Sequence, residues 1–201
     1  GAAPITIVEA GRARTTIVVP RGRQPVAATD LRDYIEKATG ARLRIAAENE
    51  LPATNSEARI FIGATSAGKR IGDLTKLQPE GFVIKREGGD VFIIGGDETD
   101  AGLAVDGTFY GVCEFLERFV GVRWLMPGPV GEVVPRQSTL RIDSAAIRQD
   151  PVLWQRKIRE IRTVGHRTQV LGILRGWNIS IDDWDAKFGK GMVLPDARIV
   201  P

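Results

Sequence analysis

Two short β-branched runs, Ile5–Glu9 and Thr15–Val19, open the chain, and Ala10-Gly11-Arg12 between them has the composition of a turn. This pattern predicts a hairpin or two neighbouring strands, closed by Pro20. Over residues 24–39 the apolar period lengthens to three and four residues through Ala27, Leu31, Tyr34, Ile35 and Ala38, and Gly40 is placed as a stop. That is an amphipathic helix with one apolar stripe, which must pack on a sheet.

Residues 43–46 and 59–63 follow as strands, with the polar residues 48–57 as the loop between them. A short helix is expected over residues 65–71. Residues 81–86 and 90–94 then flank Glu87-Gly88-Gly89, a hairpin signal because glycine supplies the positive φ that tight turns require. Asp106 is placed to cap a second helix running to about Val120, with Phe109, Val112, Cys113, Leu116, Phe119 and Val120 on one stripe and Gly121 at its end. Extended pieces are expected over residues 122–125 and 130–134, around Pro127-Gly128-Pro129, and a last strand over 138–142.

Runs of strands interrupted by two well-formed helices define an α+β fold, a mainly antiparallel or mixed sheet with two principal helices on one face. Residues 143–150 read as a linker. The organisation expected is therefore a domain over residues 1–148, followed by 149–201 as linker and the shortened start of another domain. Within that tail residues 151–161 read as a strand or extended arm, and 169–177 as a short amphipathic helix through Val170, Leu171, Ile173, Leu174 and Trp177.

Composition narrows the class. With 43% hydrophobic and 26% charged residues in 201, the chain is neither disordered nor collagen-like. No apolar run approaches the ~20 residues of a membrane-spanning helix, so no membrane insertion is expected. The start, Gly1-Ala2-Ala3-Pro4, lacks an initiating Met and reads as processed or engineered. Net charge is +3, and residues 151–201 hold 9 Lys/Arg against 5 Asp/Glu, leaving 19 against 20 for residues 1–150. A nucleic-acid binder spreads its basic residues over one face of the main fold, so nucleic acid is not an expected partner. The single cysteine, Cys113, excludes an internal disulfide and a multi-cysteine metal site. It fits a small buried hydrophobe in the second helix.

Several motifs have competing readings. Gly63-Ala64-Thr65-Ser66-Ala67-Gly68-Lys69 follows a predicted strand like a phosphate-binding loop, but Arg70 stands where a Ser or Thr hydroxyl should hold magnesium. A solvated strand-to-helix turn is the better reading. Asp97-Glu98 offers adjacent carboxylates, which on a strand point to opposite faces and so make a poor acid–base pair. Asp182-Asp183-Trp184-Asp185 lacks the glycine and distal Glu of a calcium loop. His166 needs a nucleophile and a carboxylate brought close by folding before it acts as a base. No catalytic, cofactor-binding or metal-binding residue is therefore assigned, and no cofactor is expected. Tryptophan stacks on sugar rings when exposed, so Arg123, Trp124, Glu132 and Trp154 are the candidate contacts to carbohydrate or to a neighbouring domain.

The run Asp106-Gly107-Thr108-Phe109-Tyr110-Gly111 through Leu116, followed by Gly121-Val122-Arg123-Trp124-Leu125-Met126-Pro127-Gly128, resembles the N-terminal domain that precedes the barrel in family 67 α-glucuronidases and family 20 β-hexosaminidases, and in related bacterial proteins. The likeness covers residues 4–142, with Ala38-Thr39-Gly40, Ile60-Phe61-Ile62-Gly63 and the 81–96 hairpin in order. It implies a sheet with two helices on one side, no catalytic residue in this part, the catalytic barrel domain of the same parent chain as partner, and a secreted or periplasmic parent glycoside hydrolase. A (β/α)₈ barrel takes about 250 residues, and only 51 remain after residue 150. The alternative is a stand-alone carbohydrate-binding module using exposed tryptophans.

Overall fold

The computed structural model describes residues 3–22, 25–51, 57–71, 77–97, 106–125 and 129–151. It is an α+β fold with a mixed six-stranded sheet, two smaller sheets and two helices packed on one face. Among the described residues, no helix is long and apolar enough to cross a membrane.

Strand β1 (Ile5–Glu9) turns at Ala10 and Gly11, both at positive φ (48° and 72°), into β2 (Arg12–Ala13). Two successive left-handed residues make the turn whose twist suits a two-residue hairpin. The partner of β1 is thus β2 rather than β3 (Thr15–Val19), which belongs to the large sheet. The chain changes sheets at Arg14, whose amide still donates to the Ile7 carbonyl.

Helix α1 (Val26–Thr39) carries the chain from β3 to β4 (Arg44–Ala47), a crossover that makes these two strands parallel. It ends at Gly40, whose left-handed backbone lets its amide bond the Glu36 carbonyl. Strand β5 (Ala58–Ile62) pairs with β3, and the hairpin β6 (Phe82–Glu87) and β7 (Asp90–Gly95) joins through β7 to β5. The order is β11 (Ala146–Gln149), β6, β7, β5, β3, β4, parallel from β4 to β7 and antiparallel at the other edge. The mixed alternative is therefore the one realised, because α1 and the loop before β5 return the chain to the same end of the sheet.

Side-chain alternation divides the core in two. Ile17, Val19, Ile60, Ile62, Val91 and Ile93 face the helices. Val18, Phe61, Phe92 and Ile94 face the opposite side, where Ile71 and Leu51 help cover them and the Phe61 and Phe92 rings stack at 4.7 Å. Strands buried on both faces read as unbroken apolar runs, as Ile60-Phe61-Ile62 and Val91-Phe92-Ile93-Ile94 do.

The second helix differs from expectation at both ends. Helix α2 spans Gly107–Phe115 and continues as one π turn, Leu116–Val120, before Gly121. The wider turn is closed by the Gly121 and Val122 amides, which both donate to the Leu116 carbonyl. At the start Asp106 makes no side-chain cap; Asp97, at the end of β7, accepts from the Thr108 amide (2.7 Å) and from its hydroxyl (2.6 Å). The short helix expected over 65–71 is a single 3₁₀ turn, Gly68–Arg70. Strands β8 (Arg123–Trp124), β9 (Glu132–Val133) and β10 (Leu140–Ile142) follow, and β10 pairs with β1. Residues 146–149, read as linker, form the edge strand β11 (Ala146–Gln149) on β6. Its exposed, polar composition concealed it, since an edge strand needs only one apolar anchor, here Ile147.

Cys113 is fully buried in the stripe with Phe109, Leu116 and Val120. A thiol reagent is expected to label the native protein only as fast as it opens. Cys113→Ser is expected to destabilise by about 1–3 kcal/mol in a urea titration, because the stronger hydroxyl dipole enters an apolar stripe.

Candidate functional site

The β8–β9 hairpin brings three of the four candidate residues together. Trp124 faces Glu132 across the ladder, and Arg123 faces Val133. Trp124 is only 7% exposed, and its indole meets the Tyr34 ring edge-on at 5.5 Å and 86°. Its Nε1–H donates to the Tyr34 hydroxyl (3.0 Å), which donates to Glu132 Oε2 (2.9 Å). Lys37, one turn further along α1, takes Glu132 Oε1. The result is a continuous relay from indole to phenol to carboxylate to ammonium that ties the hairpin to α1.

Arg123 points the other way and donates to the carbonyls of Glu117 and Val122, at 2.7 Å each. It seals the end of the π turn. Burial raises the Glu117 carboxyl above the ordinary carboxylate range, and the Arg123 charge opposes that rise. Trp154 lies outside the described residues, as do Glu98, His166 and Asp182–Asp185.

What this arrangement does chemically follows from its saturation. Both Glu132 oxygens are engaged, so the group is a structural acceptor. Trp124 is buried with its indole set edge-on against Tyr34, the arrangement of a side chain that packs one element on another. Burial pushes the Tyr34 phenol up to about 12, more than the Trp124 hydrogen bond lowers it. Because the folded pKa lies above that of the unfolded phenol, the unfolded state loses its proton first, and stability falls as pH rises from about 10. Ultraviolet titration is expected to show one of the two tyrosines ionising near 12, and Tyr34→Phe to remove part of the alkaline loss of stability.

Tyr34 and Lys37 carry no local signal of this role. Tyr34 reads as one more member of the α1 stripe, and its partners are 90 and 98 residues away.

The other motifs resolve into structure. In the Gly63–Arg70 stretch, the Ser66 amide and hydroxyl are taken by Glu48 (2.7 and 3.2 Å), and the Gly68 amide by the Thr65 hydroxyl (2.9 Å). A carboxylate of the chain thus occupies the donors a phosphate would need. Thr65 is fully buried, so this turn is packed and not solvated throughout. A cleft of about 540 Å³ lies beside the β6–β7 turn, lined by Thr6, Arg59, Arg86 and Asp90 among others. Arg86 spans it by donating to the Ala3, Gly88 and Asp143 carbonyls. Burial raises the Asp90 carboxyl, and the Arg59 amide bond (3.0 Å) counters it. Among the described residues no group of three or more His, Cys, Asp and Glu is placed to hold a metal.

The polar side chains of this site join one element of the α+β fold to another. No family model matches the chain, and no curated protein matches it. Among solved structures it is similar to the family 20 β-N-acetylhexosaminidase of Streptomyces coelicolor, at 21% identity and a TM-score of 0.45, over 78% of this chain and 25% of that one. It is also similar to a mutant β-hexosaminidase of Streptomyces plicatus in complex with its product GlcNAc, at 21% identity and a TM-score of 0.44, again over 78% and 25%. The chain spans about a quarter of their length.

Proposed function

We propose that residues 3–151 form a non-catalytic accessory domain of a glycoside hydrolase, which packs against and supports the catalytic domain that follows it in the parent chain. The observation that supports this reading is the use made of the chemistry-bearing side chains. Asp97 caps α2, Glu48 fills the Ser66 turn, and Glu132 closes the Tyr34–Trp124 relay. Each is spent on holding one element to another, and a glycosidase instead needs two carboxyl groups facing one open sugar site. The resemblance carried by residues 106–128 points the same way. A secreted or periplasmic parent and a barrel beginning after the described residues belong to this proposal.

The purified 201-residue chain is expected to hydrolyse neither an aryl N-acetylhexosaminide nor an aryl glucuronide. Turnover abolished by replacing a single carboxylate would overturn the reading.

A further inference from the structure

The cleft beside the β6–β7 turn lies on the seam between the six-stranded sheet and the sheet of β10, β1 and β2. Strand β1 supplies Thr6, and β5, β6 and β7 supply Arg59, Arg86 and Asp90. Its volume of about 540 Å³ falls within the roughly 300–1,000 Å³ of small-molecule sites. Two polar groups in it are open. Asp90 Oδ1 accepts from the Arg59 amide (3.0 Å), and among the described residues its Oδ2 has no hydrogen-bond partner. The Thr6 carbonyl accepts from the Thr15 hydroxyl (3.1 Å), while the Thr6 hydroxyl has no partner among the described residues. Ile5 and Ile7 on either side are buried, so strand alternation turns Thr6 out of the core. Burial also raises the Asp90 carboxyl, as happens when a carboxylate loses water without gaining a full set of donors.

Arg86 is the fixed element. The carbonyls of Ala3, Gly88 and Asp143 clamp its guanidinium, and among the described residues no carboxylate pairs with it. A guanidinium has more N–H groups than three carbonyls use, so donors remain. Charge then selects the ligand. Arg59 and Arg86 stand against Glu57 and Asp90, so the lining has no net charge and favours neither an anion nor a cation. A hydroxyl both donates and accepts, and its bonds to a carboxylate or a guanidinium are about twice as strong as neutral ones. We propose that this cleft binds a neutral polyhydroxylated ligand, a sugar unit, with one hydroxyl donating to Asp90 Oδ2 and a neighbouring hydroxyl accepting from Arg86. The site is separate from the Trp124 clasp, and the inference stands whether or not the chain supports a catalytic domain.

Amide NMR spectra of the full 201-residue chain test this. Glucose, galactose, mannose, xylose and N-acetylglucosamine are titrated as free sugars and as methyl glycosides, the second form standing for a unit within a chain. At least one is expected to shift the Gly88, Gly89 and Asp90 amides saturably, with a dissociation constant of about 1 mM or below. Binding in either form supports the site, and the preferred form tells a free sugar from a chain. Asp90→Asn keeps an oxygen for the Arg59 amide and puts a donor where Oδ2 accepts; Thr6→Val keeps the shape and removes the hydroxyl. Each is expected to weaken binding about tenfold or more while amides 109–115 keep their positions, which reports an intact fold. No saturable shift with any of these sugars, a shift centred elsewhere, or binding that survives both changes would overturn the proposal. So would a response to sulfate or to free arginine with none to the sugars, since the ligand would then be charged.

Discussion

Gly95→Ala is expected to destabilise the protein by about 3 kcal/mol or more. A Cβ at this position lies 1.9 Å from the Thr108 amide nitrogen and 2.0 Å from the Gly107 carbonyl carbon. Neither is the end of a flexible side chain. Both are backbone of the first turn of α2, so the whole helix must retreat. Retreat breaks the Gly95 amide bond to the Thr108 hydroxyl (3.0 Å) and both Thr108 bonds to Asp97. Gly107 faces the same restriction from the Gly81 carbonyl (2.6 Å) and the Gly96 amide (2.7 Å). Gly89→Ala is the control, because nothing lies within 4 Å of a Cβ there, and its effect is expected to stay within about 0.5 kcal/mol. Equal urea midpoints for the Gly95 and Gly89 variants would show that α2 does not sit against the end of β7.

Trp124→Ala is expected to cost about 3–5 kcal/mol, since it removes a large buried side chain and leaves a cavity beside Tyr34. Tyr34→Phe keeps the ring and removes only the hydroxyl, which accepts from Trp124 and donates to Glu132. Its expected cost is about 1–3 kcal/mol, because a buried donor and an almost buried carboxylate each lose a partner. Trp124→Phe removes the other end of the same bond. In a double-mutant cycle the two Phe variants are expected to be non-additive by about 0.5 kcal/mol or more. Strict additivity would mean that the relay is absent in solution.

Local pattern determined the elements whose information is itself local. The α1 stripe and Gly40, the 81–94 hairpin around its glycines, and the buried Cys113 stripe were legible because periodicity and turn chemistry act over a few residues. The fold class followed from their order. The likeness to the domain preceding a glycosidase barrel was legible in residues 106–128, where helix, glycine stop and Trp124 strand are consecutive.

Only the tertiary structure decided what depends on distant partners. It placed β1 against β10 rather than β3, made α1 a parallel crossover, and turned residues 146–149 into an edge strand. It moved the α2 cap from Asp106 to Asp97, which the fold brings to the Thr108 amide from the end of β7. Arg123, Trp124 and Glu132 were identified from the sequence as candidate contacts. Their saturation by Tyr34, Lys37 and the carbonyls of Glu117 and Val122 was not. Periodicity records which face of an element is apolar, and it carries no record of which other element that face will meet. The difference between an exposed tryptophan platform and a buried tryptophan clasp therefore lay entirely in α1, 90 residues away.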